Sequence, residues 1–160
     1  MMSIYEHEHF VKFIVYFNEN QDYFECHEVL EQLWKEKTDL SKHQPIPTLI
    51  LIATSLYHWR RGNYTGAKRT MQRAIERFHT FSWDDVPLDV QTLDVAIHTA
   101  AERIERRETF QPFPLLCEDD VQRRVAEWSE KLTLLPLDDP RVIDKHRYVF
   151  LQKQKEGQLP

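Results

Sequence analysis

Between Ile46 and Arg61 the chain carries a helical run that is apolar almost all the way round, introduced by Pro45 and Pro47. A surface helix keeps a polar face, so a segment lacking one has to be enclosed by other helices. The prolines suit a first helical turn, where the missing N–H has no intrahelical partner to lose. This segment is therefore expected at the centre of an all-α, single-domain bundle of about six helices spanning residues 1–160. Three glycines argue against a turn-rich β fold and against a glycine-rich phosphate loop. A chain of 160 residues buries roughly two thirds of its unfolded surface in one core.

The remaining pattern surrounds that helix. Phe10, Phe13, Ile14 and Phe17 share one face of a first helix over Glu6 to Glu19. Asp22 caps a second helix that runs to about Lys37, with Glu25 placed for a capping box. Gly62 stops the central helix and Asn63 caps the next, which makes a tight antiparallel hairpin. Tyr64, Ala67, Met71, Ala74, Ile75 and Phe78 line the fourth helix, and Gly66 with Ala67 permits close approach. Trp83 to Leu88 forms a loop. Asp89 then caps a fifth helix striped by Val90, Leu93, Ile97, Ala100 and Ile104. Pro112 and Pro114 hold Thr109 to Leu116 extended over the bundle. A sixth helix covers about Asp119 to Leu132, and Asp139-Pro140 starts a short terminal helix through His146, with a frayed end beyond Lys153.

The second helix is the place where polar chemistry meets this framework. Tyr23, Leu30, Leu33 and Trp34 form one stripe, His27 falls inside its edge, and Glu31 follows one turn on. A buried imidazole needs a partner, so His27 is expected to point inward, toward Glu31 and toward His58 on the central helix. Cys26 lies on the apolar side and reads as a small buried hydrophobe. With Cys117 it makes two cysteines, too few for a disulfide framework and without metal-ligand spacing.

Phe17-Asn18, then Tyr23-Phe24-Glu25-Cys26-His27-Glu28-Val29-Leu30-Glu31-Gln32-Leu33-Trp34, then Leu56-Tyr57-His58-Trp59-Arg60-Arg61-Gly62-Asn63 with Gly66-Ala67, together resemble the domain-of-unknown-function family 309. The resemblance covers Phe10 to about Phe78, inside a family-like core of about 10–80, and Val142 to Arg147 is similar to the family's C-terminal ending. It leaves an extension of about 109–160. The resemblance implies a compact all-α fold of small prokaryotic proteins and brings no established activity. Where the family's helix often carries glutamines, this chain has Pro47 and Leu51, which implies a drier interior there.

Several constellations could carry chemistry. His27, Glu28 and Glu31 with His58 could hold a divalent metal, since facing helices build such sites from histidine and carboxylate pairs. That alternative makes the protein a metal-dependent hydrolase or related enzyme using His27, Glu31 and His58, with Tyr57 as an added donor. The ordinary explanation is a histidine that organises the core without any ligand. No Gly-x-Ser-x-Gly, Cys-x-x-Cys or His-Glu-x-x-His motif accompanies the set, so catalysis is not the favoured reading.

Charge is also segregated. Acids dominate from Asn18 to Asp39, whereas Arg60, Arg61, Lys68, Arg69, Arg73 and Arg77 dominate the following hairpin. Arg69, Arg73 and Arg77 form a ridge able to meet an anion, though a solvated face is the ordinary explanation. The net charge of −5 makes nucleic acid an unfavoured partner. Glu6-His7-Glu8-His9 reads as a terminal stretch capable of adventitious metal capture. Lys145-His146-Arg147 reads as a solvated basic tail that could seat an anion.

The leading expectation is thus a binding or assembly module with a semi-buried His/Glu cluster. It is expected to form a homodimer, through Phe110, Phe113 and Trp128 if these are exposed, or to bind another protein. The N-terminus lacks the pattern of a signal peptide and no apolar run spans a bilayer, so a cytoplasmic, membrane-free protein is expected.

Overall fold

The computed structural model describes residues 3–36 and 44–157. Among these residues there are eight α-helices and no strand, apart from an isolated bridge between Leu88 and Cys117. A 3-10 turn at Ile4–Glu6 leads into α1 (Glu8–Val15), which continues as a π-helical turn at Tyr16–Asn20. The wider turn brings Phe17 and Asn20 into the interior, and Gln21 ends it in the left-handed conformation at φ 53°. The expected single helix over Glu6 to Glu19 is therefore three pieces, because the chain must turn sharply before α2.

α2 (Tyr23–Glu36) starts on Asp22, whose carboxylate accepts from the Glu25 amide at 3.2 Å. The reciprocal half of a capping box is absent here, since the Asp22 amide donates to the Tyr16 carbonyl at 2.9 Å. The expected end of this helix at Lys37, and the acidic stretch as far as Asp39, reach beyond the described residues.

α3 (Pro45–Arg60) is the core of the molecule. Ile46, Leu49, Ile52, Ala53, Leu56 and Trp59 are all buried, with α2 on one side and α4 (Tyr64–Phe78) on the other. The polar groups on α3 are answered locally or across the hairpin: Thr48 Oγ1 donates to the Gln44 carbonyl, and Ser55 Oγ donates to the Ala67 carbonyl at 2.7 Å. Gly62 adopts φ 83° at the hairpin, a conformation that costs glycine nothing. Asn63 caps α4 through the Gly66 amide at 3.0 Å, and a side chain at Gly66 would press on that cap.

α5 (Val90–Glu105) packs on α4, and α6 (Asp119–Lys131) packs on α1. The extended segment between them is latched from both sides by one side chain. Asn18 Nδ2 donates to the Leu115 carbonyl at 2.9 Å, and the Leu115 amide donates to Asn18 Oδ1 at 2.8 Å. Trp59 Nε1 adds a bond to the Glu108 carbonyl at 2.9 Å.

Two expectations change in this region. The terminal helix is divided at Asp144 (φ −148°, ψ 83°) into α7 (Pro140–Ile143) and α8 (Lys145–Lys155), which runs on to Lys155 and not only to His146. The division follows from the Asp144 carboxylate, which leaves the helical path to cap Arg147. Phe110, Phe113 and Trp128 do not form an exposed patch. Phe110 packs edge-on against Tyr23 and Trp59, Phe113 lies on Phe17, and Trp128 is covered by Lys12 and Lys131.

If α3 carries the stability, Ile52→Ala should cost about 2–5 kcal/mol in urea unfolding, as buried truncations do. Val95→Ala, at an exposed position of α5, should stay within about 0.5 kcal/mol. Similar costs for both would show that α3 is not the centre of the core.

Candidate functional site

Between α2 and α3, beside the start of α8, lies a cleft of about 370 Å3. Phe24, His27 and Glu28 line it from α2, and Thr54, Tyr57 and His58 from α3. Both sets are spaced i, i+3, i+4, so each is one face of its helix. Tyr23 closes the inner end, and His146 of α8 supplies the third wall.

The C-terminal segment is held over this cleft by the last turn of α3. Arg60 Nη2 donates to the Val142 carbonyl at 2.8 Å, while its guanidinium lies 4.9 Å above the Tyr23 ring and 5.6 Å above Phe110. Arg61 reaches Asp144 at 3.7 Å. Beneath them Asp22 is buried, and desolvation lifts its carboxyl to about 6 against the pull of its Glu25 amide bond and of Arg60.

His58 is set in its neutral form by its neighbours. Its Nδ1 faces Arg61 Nη2 at 3.0 Å and Asn63 Nδ2 at 3.3 Å. A guanidinium can only donate, and the Asn63 amide is oriented by the Gly66 cap on its oxygen. Nδ1 must therefore carry the lone pair, and the ring proton sits on Nε2. Burial, then Arg61, Arg69 and His146, hold the His58 pKa below its ordinary 6.5.

His146 meets the other end of the same face. Tyr57 Oη accepts from the His146 amide at 3.4 Å and lies 3.0 Å from His146 Nδ1, where the hydroxyl can donate. With that direction, the neutral ring would carry its own proton on Nε2.

His27 stands at the rim with 36% of its side chain exposed, and is not enclosed as expected. Its position on the edge of the stripe leaves one side of the ring to solvent. Nδ1 lies 3.4 Å from Glu28 Oε1 and 3.5 Å from Glu31 Oε2. Lys35 holds the other Glu31 oxygen at 3.1 Å and, with His27, keeps that carboxyl below its usual range. The ligand atoms of His27, Glu28 and Glu31 all lie within 4.8 Å of one another, a group that does not include His58.

A second cluster joins the N-terminal turn to the end of α2. His7 and His9 bring Nε2 to 3.5 and 3.6 Å from the two oxygens of Glu36. His7 Nδ1 accepts from the His9 amide at 3.0 Å, which leaves its ring proton on the nitrogen facing Glu36. This is a clamp between elements.

Of the arginine ridge, Arg69 and Arg73 are exposed, while Arg77 donates to Gln44 Oε1 at 2.7 Å and lies against Thr48. The meeting of His146 with Tyr57 is not legible in the sequence, because the pair is 89 residues apart. The family-like ending around Val142 was the available signal. Nothing in the sequence joined Glu36 to His7 and His9.

Residues 10–70 match the family described as Domain of unknown function (DUF309), so the resemblance expected from the motifs holds over that segment. Over 163 residues the chain is 29% identical to Uncharacterized protein YpuF of Bacillus subtilis (strain 168), with 92% of each chain covered. No solved structure matches. Among the described residues no helix is long and apolar enough to cross a membrane.

His58 supplies a pH test of the site. Its folded pKa is lowered, so its contribution to stability is present above 6.5 and is lost as pH falls through the lower folded value. From about pH 7.5 to about pH 5, urea titrations should therefore show a smaller loss of stability in His58→Asn than in wild type. Equal losses would mean that Arg61 and its neighbours do not hold the ring neutral.

Proposed function

We propose that the protein is a binding module whose α2–α3 cleft receives a small, partly aromatic ligand. One observation carries this reading: three histidines from three separate segments, with Tyr57 and Glu28, converge on one cleft of about 370 Å3 that Phe24 and Tyr23 line with apolar surface. A few directed polar groups on an aromatic wall suit recognition.

A second reading has its own support. The separations of 3.4 and 3.5 Å at His27 approximate the roughly 3.4 Å ligand–ligand edge of a tetrahedral cation with bonds of about 2.1 Å. His27, Glu28 and Glu31 would then hold a divalent ion at the rim. His58 would contribute no lone pair, because its proton is on the remaining nitrogen.

Titrating the isotope-labelled protein with small aromatic acids, amines and alcohols, and separately with zinc chloride, tests both readings. The cleft reading expects organic probes to move the ring signals of His58 and His146, and fails if none does. The cation reading expects zinc to raise the thermal midpoint of wild type but not of His27→Ala. A midpoint indifferent to zinc would remove it.

The proposal includes a homodimer in the cytoplasm. Free Cys26 and Cys117 suit a reducing compartment. Val149, Phe150 and Leu151 expose apolar surface on α8, next to a groove of about 720 Å3 lined by Pro140, Ile143 and Tyr148. Sedimentation at high protein concentration should show a dimer that Phe150→Glu dissociates, and a strict wild-type monomer would remove that part.

A further inference from the structure

We infer that the α3–α8 wall of the cleft is an oxyanion seat, with His58 and His146 each presenting an Nε2–H donor to a carboxylate or phosphate of the ligand. This rests on the cleft reading and gives it a charge sign.

The proton positions follow from the opposite ring nitrogens. Arg61 and Asn63 are both donors to His58 Nδ1, and the Tyr57 hydroxyl, which accepts the His146 amide, lies 3.0 Å from His146 Nδ1, where we assign it as the donor. Two rings that line one cleft are then each left with an Nε2–H, and no hydrogen bond joins either Nε2 to another described residue. An oxyanion on the ligand is the acceptor that such donors take.

Charge on this wall favours a negative acceptor. Arg61 and Arg69 lie close enough to His58 to depress its pKa, so the field there is positive. The carboxylate on this side, Asp144, is taken up by Arg61 at 3.7 Å and by the Arg147 amide at 3.1 Å. Glu28 stands on the opposite wall, where His27 faces it at 3.4 Å. An anionic group would thus settle on α3 and α8, with the apolar remainder of the ligand against Phe24 and Tyr57. The charge segregation in the sequence becomes two unlike walls of one cleft.

Benzoate, phenyl phosphate and benzylamine share a ring and differ in charge, so calorimetric titration of the whole chain with each at about pH 7.5 reads the inference directly. Benzoate or phenyl phosphate should bind at least roughly tenfold more tightly than benzylamine, as a hydrogen bond to a charged group predicts. The tighter of the two identifies the seat as a carboxylate or a phosphate site. His146→Ala, a change at an exposed ring, should weaken the anion by roughly tenfold, and His58→Asn similarly. Nitrogen-15 spectra of both imidazoles should show protonated Nε2 and bare Nδ1. Benzylamine binding as tightly as benzoate would overturn the anion seat and leave the cleft reading standing, as would an Nδ1–H tautomer in either ring. Failure of all three probes would remove the cleft reading together with this inference.

Discussion

The burial of the apolar helix α3 between α2 and α4 is the constraint from which the other features descend. An apolar helix of this kind has no solvent face to offer, so α2 and α4 must cover it along its length. Its last turn changes character: Tyr57, His58, Trp59, Arg60 and Arg61 follow the uncharged run. Each of these polar groups has to find a partner where the bundle ends. Trp59 takes the Glu108 carbonyl, Arg60 the Val142 carbonyl, Arg61 the Asp144 carboxylate and Tyr57 the ring of His146. The C-terminal half of the chain is thereby drawn back over the end of α3.

The cleft is a by-product of that closure. α2 carries acids on its outer edge because that edge was never meant for the core, and α3 ends in cations that need acceptors. Between them the aromatic rings of Phe24 and Tyr57 are 6.0 Å apart and only partly cover the opening. His146 fills part of the gap, with its ring edge-on to Phe24 at 5.5 Å. Here the polar partners hold the walls at hydrogen-bonding geometry and leave space between them.

Much of the fold was legible from residue spacing. The stripe Phe10, Phe13, Ile14 and Phe17 located α1, the Gly62-Asn63 pair located the hairpin, and Asp89 located the start of α5. The proline segment was read as extended, and it is, with Asn18 holding both backbone groups of Leu115. The π turn at Tyr16–Asn20 was not legible, since its spacing differs from an α-helix by one residue in a turn. Nor was the use of Phe110, Phe113 and Trp128: a sequence shows that aromatics are present but not which of them find a neighbour. The site was half legible. His27, Glu28, Glu31 and His58 were each visible as unusual residues on otherwise apolar faces, while the rim position of His27 and the engagement of His146 were not.

By itself the sequence determined the all-helical class, the central place of α3 and the hairpin that follows it. These rest on periodicity, capping and backbone freedom, which act over a few residues and need no knowledge of distant ones. Tertiary structure alone decided which polar groups meet. Arg61 and Asn63 reach one imidazole, and Tyr57 meets another from the far end of the chain. Hydrogen bonding is directional and short-ranged, so a proton's position depends on partners brought within about 3 Å, and only the folded chain brings them there.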